Sequence, residues 1–460
     1  MNMEKEFSAS TRERDLDSLG ETVFDAVIIG GGIIGSGCAS ILSQLGLKPL
    51  LLEKNDFASG TSSGSSKLIH GGIRYLDQGK LLLTRNLLKE RNYLLENSEL
   101  VRPVEFRILT GSGSWKPWKI RLGLIIYRIL GGKNKFPVFF KNTGEYGSGI
   151  DGYFTYMDAV ADDAELVIYN VVSAHKSGSI CLNYTRAETI ERDDGEFRIE
   201  VRDMVSGKKH IARGRTVINA AGPWASEIMG LAGLQFREKF RLSRGIHLIF
   251  MRDYLDTGSA LAFKSKIDGR QIFIIPWEHV TLLGTTDTFV EDPDQLSIPE
   301  NEVEYLLESA KYVVGKLDRE KVVGSYSGIR PLYGEGETPG EISRDFTIVS
   351  DKGFISVLGG KITDYRRVSR RVALETAKYL GVQVRVKGLP VIDYSRKNCS
   401  DIYRHILKYE CPLYTEDVLR RRTGTGLFNP EKRDEEIMKI RELFGKNMKD
   451  GEPDGKRPDS

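Results

Sequence analysis

Two periods of hydrophobic spacing run through this chain. Ala26–Ile29 is an unbroken apolar run, the pattern of a strand buried on both faces. After a glycine cluster, Cys38, Ala39, Ile41, Leu42 and Leu45 recur on one helical face, and a second apolar run, Leu50–Leu52, stops at Glu53. The spacing predicts strand, tight turn, helix, strand. Leu81–Leu100 places Leu83, Leu87, Leu88, Tyr93 and Leu94 on one side and predicts an amphipathic helix with a packing role. Val171–Val205 alternates as several strands around a turn at Asp193, Asp194 and Gly195. Residues 235–330 carry apolar runs at His247–Phe250, Ile272–Ile275 and Thr281–Leu283 and predict a mainly antiparallel sheet. Phe354–Leu358 predicts one more buried strand, after which Gly359, Gly360 and Lys361 open a helix to about Tyr379. Asp401–Phe444 reads as helical, with Thr415 as an N-cap.

Composition narrows this little. The 460 residues suffice for two or three packed units, and a net charge of +3 implies no nucleic-acid partner. Cys38, Cys181, Cys399 and Cys411 are scattered, which suits a reducing compartment and supplies neither zinc spacing nor a disulfide framework. No apolar run reaches the length of a membrane span. The polar stretches at the two ends, residues 1–21 and 449–460, are expected to be a mobile arm and tail.

The first strand–helix–strand unit carries chemistry. Gly30, Gly32 and Gly35 have G-x-G-x-x-G spacing: the first permits the turn, the second lets a pyrophosphate approach the backbone, and the third lets helix and strand pack closely. Glu53 stands at the right separation to accept hydrogen bonds from a ribose, which argues against a 2′-phosphate. The unit therefore predicts a dinucleotide site, without separating FAD from NAD.

Beyond Glu53, Thr61, Ser62, Ser63, Ser65 and Ser66 supply small hydroxyls and close N–H groups before Leu68, His70, Arg74 and Tyr75. Trp115–Phe140 mixes tryptophan and aliphatics with Lys116, Lys119, Arg121, Arg128, Lys133 and Lys135, and reads equally as a half-buried helix or an interfacial membrane contact. Asp158, Asp162, Asp163 and Glu165 lack a calcium-loop pattern and fit the acidic first turns of a helix, so no metal is expected. Arg420, Arg421 and Arg422 read as a solvated or domain-docking face, with lipid as the minority alternative.

With these pieces in place the chain resembles the FAD-dependent, quinone-linked glycerol-3-phosphate dehydrogenases, which share their fold with D-amino-acid oxidase. The resemblance runs from about Phe24 to about Phe444 through VIIGGGIIGSG, TSSGSSKLIHGGIRYL, INAAGPW, IPW, LLGTTD, YSGIRPL, ISRDF, GGKITDYR and EDVLRRRT, in that order. It implies an α/β architecture: a Rossmann-type FAD-binding domain with a mixed parallel sheet (22–100, 151–225 and 331–382), a substrate- or membrane-facing insertion (101–150), an antiparallel substrate domain (226–330) and a small C-terminal helical domain (383–448). It implies FAD held by Gly30, Gly32, Gly35, Glu53, Thr61, Ser62, Ser63, Ser65, Ser66, Lys67, Leu68, His70, Gly71, Gly72, Ala187, Glu188, Gly222, Gly360, Lys361, Ile362 and Thr363. Where Asp364 stands the family often has threonine, which would put a negative charge beside the flavin.

Oxidising a secondary alcohol next to a phosphate needs cations for the dianion and a base for the hydroxyl proton. The expected catalytic residues are His247, Arg330 and Lys361, with His247 as the general base. The substrate is expected against Arg74, Tyr75, His247, Arg330, Arg344, Lys361 and Thr363. The implied partners are glycerol 3-phosphate, a membrane quinone and a lipid surface; the implied place is the cytoplasmic face of the cell membrane; a homodimer is an assembly it allows. An oxidase passing electrons to oxygen would share fold and site, so the acceptor stays open, as does a flavin-binding protein without turnover.

Overall fold

A computed structural model describes residues 5–111, 116–133, 135–235, 240–342, 345–386, 394–396 and 399–444. Trp115, Arg344 and the tail 449–460 lie outside the described residues.

The fully buried strand Ala26–Ile29 lies inside a six-stranded sheet in the order Phe346–Asp351, Phe354–Gly359, Val217–Asn219, Ala26–Ile29, Pro49–Leu52, Ile180–Leu182. Its pairings are parallel except at the Phe346–Asp351 edge. Strands with both faces apolar need cover on both sides. Helices Ile33–Gln44, Asp163–Lys176 and Tyr365–Leu380 cover one face through Ala39, Leu42, Val167, Val171, Val368 and Val372. A four-stranded sheet (Val23–Phe24, Lys209–Gly214, Glu196–Asp203, Thr185–Asp193) covers the other through Phe197, Ile199 and Val201.

The second large sheet is mixed and mostly antiparallel. Its spine is Phe240–Met251, paired with Val322–Tyr333 on one side and Val280–Gly284 on the other. Helix Glu300–Val314 packs Val303, Leu306, Ala310 and Val313 against its Ile246, Leu248 and Phe250. The sheet also takes in Val101–Gly111 and Ile150–Ala161, so it draws on chain outside the expected 226–330. Leu68–Ile69 joins it too, which brings the serine-rich segment against this second sheet.

One expectation fails here and two are narrowed. The N-terminal stretch forms helix Ala9–Asp17, because Arg12 reaches a buried pocket and donates to the Asn183 carbonyl and to Asp203 at 2.6 Å. Arg421 and Arg422 are buried ion-pair partners of Asp56, so of the two readings they follow the docking face and not the solvated one. Asp162 caps the helix Asp163–Lys176, accepting from Glu165 N–H at 2.9 Å, and Asp163 and Glu165 stand in its first turn as expected; Asp158 alone lies outside it, on the strand Ile150–Ala161, paired with Arg91 at 2.8 Å.

Candidate active site

The turn after Ala26–Ile29 is built by contact. Gly30 has φ +110°, and a Cβ there would lie 2.5 Å from the Ala220 carbonyl oxygen. A Cβ on Gly35 would lie 1.8 Å from the Gly30 carbonyl oxygen, so the helix approaches the strand only because position 35 is bare. Gly32 heads the helix, where Ile33 N–H donates to Ser62 Oγ at 2.9 Å. Glu53 accepts from Gly31 N–H at 2.7 Å and Asn55 N–H at 2.8 Å, and its depth still lifts the carboxyl above the usual range.

These groups open onto a cavity of about 770 Å³. Gly30, Gly32, Glu53, Ala187 and Gly222 line it together with Thr61, Ser62, Ser65, Ser66, Leu68 and His70. Arg74, Tyr75, Arg330, Gly360, Lys361, Ile362 and Thr363 line it as well. A glycine cradle that rejects any Cβ, an acid at the end of the second strand and this volume fit a dinucleotide.

The cations arrive on separate elements. Arg330, on Val322–Tyr333, donates from Nη2 to Thr285 Oγ1 at 2.9 Å and lies 3.3 Å from Asp287 Oδ1. Lys361 enters from the turn after Phe354–Gly359, its Nζ 5.0 Å above the Tyr75 ring. His70 N–H donates to Thr363 Oγ1 at 3.1 Å, tying the two loops together.

Seven expected residues stand elsewhere. Gly35 serves the packing behind the cradle. Ser63 is outside the lining, its hydroxyl on the Gly60 carbonyl. Lys67 is buried against Asp163, which also accepts from Ser65 Oγ at 2.5 Å. Gly71 N–H is held by Tyr127 Oη at 2.9 Å, and Gly72 takes the left-handed turn at φ +69°. Glu188 pairs with Arg202 and Lys209 on the outer sheet, which pulls it down to about 2.

His247 is the seventh. It is 1% exposed, stacks on Tyr326 at 4.8 Å, and is absent from the lining. Its Nε2 is 2.8 Å from Ser66 Oγ, so it meets the cavity through the serine and not directly. Burial first, then the charges of Arg330 and Lys67, push its pKa down to about 3. The negative charge expected at Asp364 is also turned away: it is buried, accepts from Lys361 N–H at 3.2 Å and pairs with Arg367 at 3.0 Å.

Thr285, Thr286 and Asp287 line the cavity and orient Arg330, although their motif gave them no role. Arg270 lines it too, donating to the Asp287 carbonyl at 3.1 Å. Trp224 adds an indole under Lys54, 4.1 Å from the ring centre. A lone arginine in a hairpin carries no sequence signal; GTTD and GPW did.

Residues 25–366 match the family model described as FAD dependent oxidoreductase. The chain is 36% identical over 365 residues to D-erythritol 1-phosphate dehydrogenase of Brucella abortus (strain 2308), covering 75% of this chain and 72% of that one. It is 34% identical over 433 residues to aerobic glycerol-3-phosphate dehydrogenase of Escherichia coli (strain K12), covering 88% and 84%. Among solved structures it resembles the glycerol-3-phosphate dehydrogenase from Bacillus halodurans complexed with FAD, with a TM-score of 0.74 and 25% identity over 95% of this chain and 94% of that one.

Proposed function

The chain belongs to the FAD dependent oxidoreductase family, among the polyol-phosphate dehydrogenases, and from that premise we propose that it oxidises sn-glycerol 3-phosphate to dihydroxyacetone phosphate. The observation that carries this reading is the convergence of Arg330 and Lys361, from two sheets, on the cavity that also holds the glycine cradle and Glu53. A planar guanidinium and an ammonium suit a phosphomonoester dianion.

Bound FAD supplies the acceptor for the carbinol hydrogen and its electron pair. Glu53 would hold the ribose hydroxyls, and the Gly30–Gly32 turn with the helix start Ile33 would take the pyrophosphate. Arg330, fixed by Thr285 and Asp287, grips the phosphate with Lys361. Arg74 and Tyr75 close the substrate side. Ser66 Oγ, held 2.8 Å from Nε2 of His247, orients the substrate hydroxyl, whose proton leaves to solvent while His247 stays neutral. With FAD bound, the electrons would go on to a membrane quinone at the cytoplasmic face of the membrane. No helix among the described residues is long and apolar enough to cross a membrane.

The relative that acts on erythritol 1-phosphate favours a four-carbon substrate as the second reading. Anaerobic bleaching of the bound flavin decides. Rapid loss of colour with glycerol 3-phosphate, and far slower loss with glycerol, supports the first reading. Bleaching by erythritol 1-phosphate alone supports the second, and bleaching by neither ends both.

A further inference from the structure

The peptides that form the Glu53 end of the cavity are gripped from behind by chain more than 350 residues away. Thr185 N–H donates to the Glu53 carbonyl at 2.7 Å, and Tyr184 N–H to the Asn55 carbonyl at 2.7 Å. Residues 53–56 and 183–187 thus form one paired unit, with Glu53 and Ala187 on its cavity side. On its other side Asp56 is buried and accepts from Asn183 Nδ2 at 3.0 Å. Arg421 Nε lies 2.7 Å from Asp56 Oδ2, and Arg422 Nη2 2.9 Å from Oδ1, with Arg422 Nη1 on Oδ2 as well.

The two arginines are themselves fixed. Arg421 Nη2 pairs with Asp417 Oδ1 at 2.6 Å, where Tyr184 Oη also donates at 2.7 Å. Arg422 Nη2 donates to the Glu410 carbonyl at 3.0 Å. All of these side chains are buried. Burial alone would raise Asp56, yet Arg422 and Arg421 hold it below the ordinary carboxylate range. A buried ion cluster adds little net stability once its desolvation is counted. What the Arg422 fork together with the Arg421 Nε–H on one carboxylate does impose is geometry.

We propose that Arg421 and Arg422 are positioning residues for FAD: by clamping Asp56 they hold Glu53 and Ala187 in place, so that cofactor retention depends on docking of the C-terminal segment. The proposal rests on the family's cofactor and is independent of which polyol phosphate is oxidised. Neither arginine touches the cavity, so both act through Asp56 and the peptides it anchors.

The test uses the full chain as purified holoprotein. Asp56→Asn combined with Arg422→Gln removes both charges and strands neither. FAD affinity is read by fluorescence titration of the apoprotein, release by the rise in free-flavin fluorescence, and fold by the far-UV melt of the apoprotein. The expected result is at least tenfold weaker FAD binding and faster release, with the apoprotein melt little changed and KM for the polyol phosphate unaltered at saturating FAD. FAD affinity within twofold of the parent overturns the proposal, whether or not the melt falls. If the double variant does not fold, R422K, which keeps the charge and loses the fork, is read by the same two outcomes. Flavin bound normally but never bleached by substrate would fail the proposed function and leave this inference standing.

Discussion

Ser66 Oγ and His247 Nε2 are 2.8 Å apart, and only the serine is on the cavity wall. If His247 orients the serine that meets the substrate hydroxyl, the two residues act as one unit. Ser66→Ala and His247→Asn should each lower kcat by roughly 10², and the double variant should be no worse than the poorer single one. Since His247 is held at about pKa 3, its own titration should not shape the turnover profile near neutrality. Additive losses, or a limb near 6.5 abolished by His247→Asn, would contradict the arrangement.

Arg330 is anchored by Thr285 Oγ1 and Asp287, so its fork is oriented before any substrate arrives. Arg330→Met should raise KM for the phosphate substrate and lower kcat/KM by about 10²–10³, the scale of one charge-assisted clamp. Oxidation of unphosphorylated glycerol, slow in the parent, should change by less than about threefold. Equal losses on both substrates would place Arg330 in the fold and not in phosphate recognition.

Helix and strand at the cradle are in contact at Gly35, where a methyl group would overlap the Gly30 carbonyl. Gly35→Ala should destabilise the protein by about 1–3 kcal/mol and weaken flavin binding, because the turn must open to admit the methyl. Gly46 offers the control: it has no neighbour within 4 Å of a built Cβ, and its left-handed φ of +81° is one that asparagine tolerates better than most residues. Gly46→Asn should therefore cost little stability and leave the flavin bound. The comparison is made by thermal melts and by the absorbance of bound flavin.

What the sequence revealed and what it hid follow from chain distance. The Gly30–Glu53 unit was legible because strand, turn, helix and acid fall within one short stretch and each part has its own pattern. The Arg330 clamp was half legible: its motif stood out, but the register that sets Ser243 opposite Arg330 and Arg244 opposite Thr288 comes from three strands meeting in the sheet. Arg422 looked like surface, because its partner Asp56 lies 366 residues away and no local pattern marks a buried arginine. Lys67 misled for the same reason. It sits among cavity-lining hydroxyls, yet a φ of +58° turns it toward Asp163.

His175 fastens the N-terminal segment. Its Nε2 donates to the Glu6 carbonyl at 3.0 Å and its ring stacks on Phe7 at 4.6 Å. Phe7 in turn exchanges backbone hydrogen bonds with Lys408 and Cys411. Burial, then the charge of Lys5, lowers the His175 pKa to about 4. The unfolded chain, near 6.5, therefore binds the proton first, and stability rises with pH across this window. Stability is full above about pH 7 and falls as pH drops from about 6.5 toward 4, by up to about 3 kcal/mol. His175→Phe should keep the stack and remove this dependence, so the difference between the two melting profiles should grow below pH 6.5. Parallel profiles would mean that the imidazole is protonated in the fold at no cost.

A surface for lipid is the last expectation that can be measured. Helix Pro117–Tyr127 buries Ile120 and Leu124 but leaves Trp118 60% and Leu122 51% exposed, and Ile129 after it is 77% exposed. Leu82, 76% exposed, opens the helix Leu81–Asn97 that packs against residues 128–132. Lys119, Arg121 and Arg128 lie among them, with Lys119 Nζ 5.7 Å from the Trp118 ring and the Arg121 guanidinium 5.7 Å from that of Phe136. Apolar side chains ringed by cations suit an anionic bilayer surface, where each basic residue contributes about 1 kcal/mol and the indole settles among headgroups. Trp118→Glu with Ile129→Glu should weaken binding to vesicles containing anionic lipid by at least about tenfold, while flavin content and turnover with a soluble acceptor stay within about twofold. Turnover with a quinone embedded in the same vesicles should fall with the binding. Vesicle affinity unchanged by both charges would rule this face out as a lipid contact.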